Sequence, residues 1–177
     1  MKSKNDYFSN KIMDTEEGKK ITLVSSDGEK IEISRKAVQR SVVVKEIIQD
    51  YPEYAEVPLK NVKGNILKKI IEYLNHYENE EPKEIKKPLP NPNFKECVEE
   101  WDFNYIDVEM EVLFDIILGA NYMNIKPLLE LGCAKVASIA RGKTTEENRK
   151  IFNITNDFTP EEEKQIAEQD KWVIESF

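Results

Sequence analysis

Residues 21–34 read ITLVSSDGEKIEIS, and this stretch decides the fold. Ile21, Thr22, Leu23 and Val24 form an apolar, β-branched run of strand length. Ser25-Ser26-Asp27-Gly28 is a turn, with Gly28 free to take positive φ. Lys30-Ile31-Glu32-Ile33 then alternates polar and apolar, as a strand with one buried face must. The stretch therefore predicts a β-hairpin. Downstream, Ser34 is placed to cap a short helix through Gln39. Ser41 caps the next helix, with Val43, Ile47 and Ile48 as its apolar face. Pro52 and Pro58 bracket an extended piece around Val57, which reads as a third short strand. Upstream, residues 1–19 read as a flexible polar tail.

Helices follow. Leu67, Ile70, Ile71 and Leu74 repeat at i, i+3, i+4, i+7 and predict an amphipathic helix from Gly64 to Tyr77. Residues 78–93 hold Pro82, Pro88, Pro90 and Pro92 among charges and read as a linker or flexible loop. Val98, Trp101 and Tyr105 share one face of a short helix. Asp107 is placed to cap a helix from Val108 to Met123, with Glu109 and Glu111 in its first turn. Pro127 suits the start of the next helix and Gly142 its end. Thr144 with Glu147, and Thr159-Pro160 with Glu162, read as capping boxes for two more. There is no internal repeat. A hairpin, helices, one returning strand and then helices only is an α+β order, a small sheet covered by helices.

At 177 residues the chain has room for one domain with an extension. Its net charge of −8 repels phosphates and anionic lipid, which argues against nucleic acid and membrane partners. No apolar run approaches the roughly 18 residues of a membrane span, and the first nineteen residues carry no run of signal length. Cys97 and Cys133 are far apart and read as reduced thiols. The expectation is a soluble protein of the cytoplasm and nucleus.

The residues that carry chemistry are scarce. His76, the one histidine, ends a helix beside a charged loop and reads as an isolated surface residue more readily than as a general base. Cys133 falls in the stripe Leu129, Cys133, Val136, Ala137, Ala140 and is expected as a small buried apolar residue. No CxxC or HxxxH pair offers a zinc site, and no glycine-rich loop precedes a helix to hold phosphate. The run Glu161-Glu162-Glu163 reads as a solvated helix start. The expectation is no catalytic site, no metal and no cofactor, which leaves protein–protein chemistry. The chain's last stretch, 151–177, speaks for it. Ile151, Phe152, Ile154 and Phe158 are large and apolar, yet the helix that follows is nearly all charge until Trp172. A helix with so thin an apolar face needs burial from elsewhere, either on its own core or on a partner.

At this point the residues resemble a family. LFDIILGANYMNIKPLLELGCAKVASIARGKT (113–144) and RKIFNITNDFTPEEEKQIAEQDKW (149–172) are similar to the S-phase-kinase-associated adaptors of SCF ubiquitin ligases. LVSSDGEKIEIS (23–34), VPLKNVKGNILKKIIEYLNH (57–76) and WDFNYIDV (101–108) fall in the family's order. The resemblance spans about residues 20–174. It implies a BTB/POZ fold, here residues 20–142, followed by a two-helix F-box-binding extension, residues 143–177. It implies a non-catalytic adaptor that bridges a cullin scaffold, and indirectly its RING subunit, to F-box substrate receptors. On the matching positions, Phe152, Ile154, Phe158 and Trp172 would clasp the F-box, and Asn121 and Tyr122 would meet the cullin. A homodimer of the chain when alone is left open.

The sequence departs from the family at several positions. Thr145 stands where many members have proline, Asn148 where an aliphatic residue is usual, and the loop 50–56 lacks a long acidic run. An elongin C-like adaptor or a self-assembling BTB scaffold are the alternatives. The extension argues against the first, because elongin C ends before such helices.

Overall fold

The computed structural model describes residues 20–174, in two compact units, one ending at Arg141 and the other beginning at Gly142. In the first unit β1 (Lys20–Val24) and β2 (Lys30–Ser34) form the expected antiparallel hairpin, with Ile21 opposite Ile33 and Leu23 opposite Ile31. Gly28 takes φ 83°, as the turn requires. The Asp27 carboxylate accepts from Ser25 Oγ (2.5 Å) and from the Gly64 amide (2.9 Å), so the turn also caps the helix that begins at Gly64. These hydrogen bonds, the Ser25 hydroxyl foremost, hold the Asp27 carboxyl below the usual carboxylate range.

Ser34 Oγ accepts from Ala37 N at 3.0 Å and caps α1 (Arg35–Val38). Ser41 Oγ accepts from Val44 N and donates to Met123 O (2.7 Å), tying α2 (Val42–Asp50) to a segment 82 residues away. On α2 the expected Ile47 and Ile48 pack half-buried against the core, Val43 is half-buried, and Val44, which the expected face left out, is fully buried. β3 (Glu56–Pro58) joins β1 in parallel, Thr22 opposite Glu56, so the sheet order is β2-β1-β3.

The amphipathic α3 (Gly64–His76) buries Ile66, Leu67, Ile70, Ile71, Tyr73 and Leu74. Residues 78–93 contain no helix or strand but are anchored along the unit. Ile85 is buried, and Arg40 donates to the carbonyls of Tyr77 and Glu80 and pairs with Glu81. Then come α4 (Glu100–Ile106), α5 (Met110–Tyr122) and α6 (Lys126–Ala140). Asp107 does not cap α5. It stands at the end of α4 and pairs with Lys135 on α6 at 2.8 Å, and Glu109 takes the position ahead of α5 without a side-chain cap. Gly132 lets α5 and α6 approach, since a Cβ there would stand 2.5 Å from Ile117 Cγ1.

Between α3 and α4 lies a ring cluster of Tyr73, Tyr77, Trp101 and Tyr105. The Tyr77 hydroxyl donates to the Asp102 carboxylate at 2.8 Å. Burial pushes that carboxyl above its ordinary value, and the hydrogen bond opposes the shift. Burial pushes the Tyr73, Tyr77 and Tyr105 hydroxyls up as well.

The second unit holds α7 (Thr145–Ile151) and α8 (Pro160–Ile174).

Candidate protein-binding surfaces

Two capping boxes build the second unit. Thr144 Oγ1 accepts from Glu147 N at 3.2 Å while the Glu147 carboxylate accepts from Thr144 N at 2.7 Å. Thr159 and Glu162 repeat the arrangement at 3.3 and 2.8 Å. Each box holds its glutamate below the ordinary carboxyl range, the threonine backbone N–H being the main cause. Two residues past the end of α7, Asn153 takes φ 52°, and the Ile154 amide reaches back to Arg149 O at 2.8 Å. Asparagine is one of the few residues that tolerates that left-handed position. Arg149 then organises the connection: it pairs with Glu163 at 3.2 Å, and its guanidinium lies 5.6 Å from the Phe158 ring centroid.

No residue of α7 is fully buried. Of the residues expected to bind, Ile154 is 57% exposed and Phe158 46%, Ile166 on α8 adds 41%, and Phe152 is half-buried. Trp172 lies on α8, but its side chain is outside the described residues. Full burial of a large apolar side chain is worth about 1.5–3 kcal/mol, and Ile154, Phe158 and Ile166, each roughly half exposed, forgo about half of that, so the unit presents apolar area that association would reward.

The first unit carries two further surfaces. One is a trough of about 850 Å³ between Ile85–Leu89 and α6, lined by Leu129, Cys133, Ala137 and Ala140. Its walls are fixed by a Lys87–Glu130 pair at 2.8 Å and by Arg141 donating to Leu89 O at 3.1 Å. This corrects the reading of Cys133 as a buried apolar residue: the residue is exposed. Small residues at Cys133, Ala137 and Ala140 keep this part of α6 low beside the trough.

The other surface is the end of α5. Asn121 is exposed, Tyr122 half-buried, and Met123 beneath them is fully buried. The backbone there is pinned by Ser41 Oγ on Met123 O and by Asn124 at φ 50°. Leu118, one turn before Tyr122, is 63% exposed, and Phe114 a turn earlier is 37% exposed. Sequence reasoning passed over both, although Leu113 and Ile116 already fill the inner face and leave Leu118 without room there.

His76 lies flat on Trp101, ring centroids 3.6 Å apart and planes within 1°, and serves as exposed packing on the ring cluster. Cys97 Sγ donates to Asn91 O. Among the described residues, no group of three or more His, Cys, Asp or Glu side chains is placed to hold a metal ion.

Comparison with known proteins covers both units. Residues 19–79 match the Skp1 family tetramerisation domain, and residues 126–173 match the Skp1 family dimerisation domain. The S-phase kinase-associated protein 1 homolog of Tetrahymena thermophila is 48% identical over 158 residues, 89% of this chain and 95% of the relative. The E3 ubiquitin ligase complex SCF subunit sconC of Arthroderma benhamiae is 43% identical over 157 residues, 88% of this chain and 96% of the relative. The protein of that name from Emericella nidulans is 42% identical over 155 residues, 87% and 96% of the two chains.

Proposed function

This chain belongs to the Skp1 family, and from that premise we propose that it is the adaptor subunit of an SCF ubiquitin ligase. It has no chemistry of its own and joins an F-box substrate receptor to a cullin scaffold. The observation that carries this reading is the second unit: two well-capped helices with Ile154, Phe158 and Ile166 held in water. Caps settle where the helices start, but their stability calls for apolar burial, and an F-box helix supplies it. Phe152, Ile154, Phe158 and Trp172 form the F-box clasp. Asn121 and Tyr122, with Leu118 beside them, form the cullin contact. An elongin C-like role is disfavoured because the family match runs through residue 173 and so includes the extension.

The test is calorimetric titration with a purified F-box protein. Ile154→Ala with Phe158→Ala is expected to weaken binding by about 2–4 kcal/mol, as loss of apolar anchors does. Trp172→Ala belongs in the same series with the same expectation. Melting temperatures of the free variants are expected to stay near the native value. Variants that lose their fold yet keep F-box affinity would make these residues core and end the clasp reading.

A further inference from the structure

The connection between α2 and β3 carries a surface that the adaptor reading does not use. Tyr51 and Tyr54 stack with ring centroids 4.8 Å apart and planes 11° from parallel, and both remain about half exposed, at 48% and 46%. The pair is built into the backbone. The Tyr51 amide donates to Ile47 O as the last bond of α2, the Tyr54 amide donates to Tyr51 O at 3.0 Å, and Arg35 Nη2 donates to Pro52 O at 3.1 Å. Two aromatic side chains are thus held in water in a fixed geometry. Asp50 and Glu53, each directly preceding one of the tyrosines, are exposed, and neither forms an ion pair with a described residue.

We propose that the Tyr51–Tyr54 stack and its two carboxylates form a docking surface for an arginine-bearing segment of a partner protein. Charge complementarity selects this occupant. Tyrosine faces attract a cation through the ring quadrupole, and the exposed carboxylates of Asp50 and Glu53, each next in sequence to one of the rings, add attraction of the same sign, on a chain whose net charge is already −8. A guanidinium suits this chemistry better than an ammonium: it is planar, so it can lie on a ring face, and its fork keeps further donors for a carboxylate. An apolar segment would offer these two carboxylates no counter-charge. Pre-organisation of the stack spares the ordering cost that a loose aromatic loop would incur on binding. The surface lies on the first unit and uses none of the residues assigned to the F-box or the cullin.

Backbone amide shifts of the full chain, labelled with nitrogen-15, test this during titration with a short glycine–arginine repeat peptide. Shifts are expected to concentrate at residues 50–56. The matching glycine–lysine peptide is expected to bind about fivefold more weakly. Tyr51→Ala with Tyr54→Ala should reduce arginine-peptide affinity about tenfold, and Tyr51→Phe with Tyr54→Phe, which keeps both rings, should retain it. Asp50→Asn with Glu53→Gln changes only exposed side chains and should weaken binding without touching the fold. Shifts spread over the acidic surface at large would overturn the proposal, as would equal affinity for the two peptides, or unchanged affinity once the two carboxylates are neutralised.

Discussion

Asp102 shows how one residue's surroundings set a pH dependence. The residue is 5% exposed, its carboxyl is partnered by the Tyr77 hydroxyl, and burial raises its folded pKa above the ordinary 3.8. A raised carboxyl favours folding while protonated, and that contribution is lost as pH rises through the folded value. Asp102→Asn keeps an oxygen for Tyr77 and removes the buried charge. It is expected to be more stable than the native chain at pH 7, with the difference closing as the pH falls toward 3.8, as urea unfolding across pH would register. Asn148 makes a second case. Its Oδ1 is buried and accepts no hydrogen bond from a described residue, a deficit worth about 1–3 kcal/mol. Asn148→Leu is expected to recover about 1 kcal/mol in the same experiment, since an apolar side chain has no acceptor to strand. Neither cost was legible in the sequence. Asp102 sits among aromatic residues whose approach depends on α3 meeting α4, and Asn148 was flagged only by its departure from the family. Cys133 was misread because periodicity tells which residues share a face and not whether anything covers that face.

At the scale of elements, local chemistry was the most legible part. Ser34, Ser41, Thr144 and Thr159 all cap the helices they were expected to cap, because a capping interaction closes within four residues. Asp107 is not a cap because α5 begins only at Met110, after Glu109, and its carboxylate pairs instead with Lys135, 28 residues on. The two capping boxes carry a pH signature of their own. Glu147 and Glu162 have folded pKa values below the ordinary 4.5, so their contribution is present above that value and lost as pH falls through the lower folded ones. The amide resonances of Thr144 and Thr159 are expected to move toward unstructured values in that acid range. In Glu147→Gln and Glu162→Gln the corresponding movement should be absent, since an amide cap does not titrate there. Movement of equal size in these variants would mean that the whole unit unfolds in acid for another reason.

For the molecule as a whole, the hairpin, the returning parallel strand and the order of helices followed from pattern. The pairing of β3 with β1, and the anchoring of residues 78–93 by Arg40 and Ile85, rest on contacts between distant segments that no local pattern carries. The two proposed partner surfaces differ in the same way. Ile154 and Phe158 announced themselves as apolar residues in a polar setting, whereas the exposure of Leu118 emerged only once α5 was packed. An adaptor needs both surfaces at once. Asn121→Lys with Tyr122→Lys is expected to abolish cullin binding, because two added charges would be desolvated without partners, and to leave F-box affinity unchanged. The most direct measurement is sedimentation equilibrium of the chain mixed with an F-box protein and the amino-terminal domain of a cullin. One species with the mass of all three, reduced to the F-box pair alone by the Asn121→Lys, Tyr122→Lys variant, is the expected result. A mass that never exceeds one partner per chain, with the F-box protein and the cullin displacing each other, would contradict the bridging role.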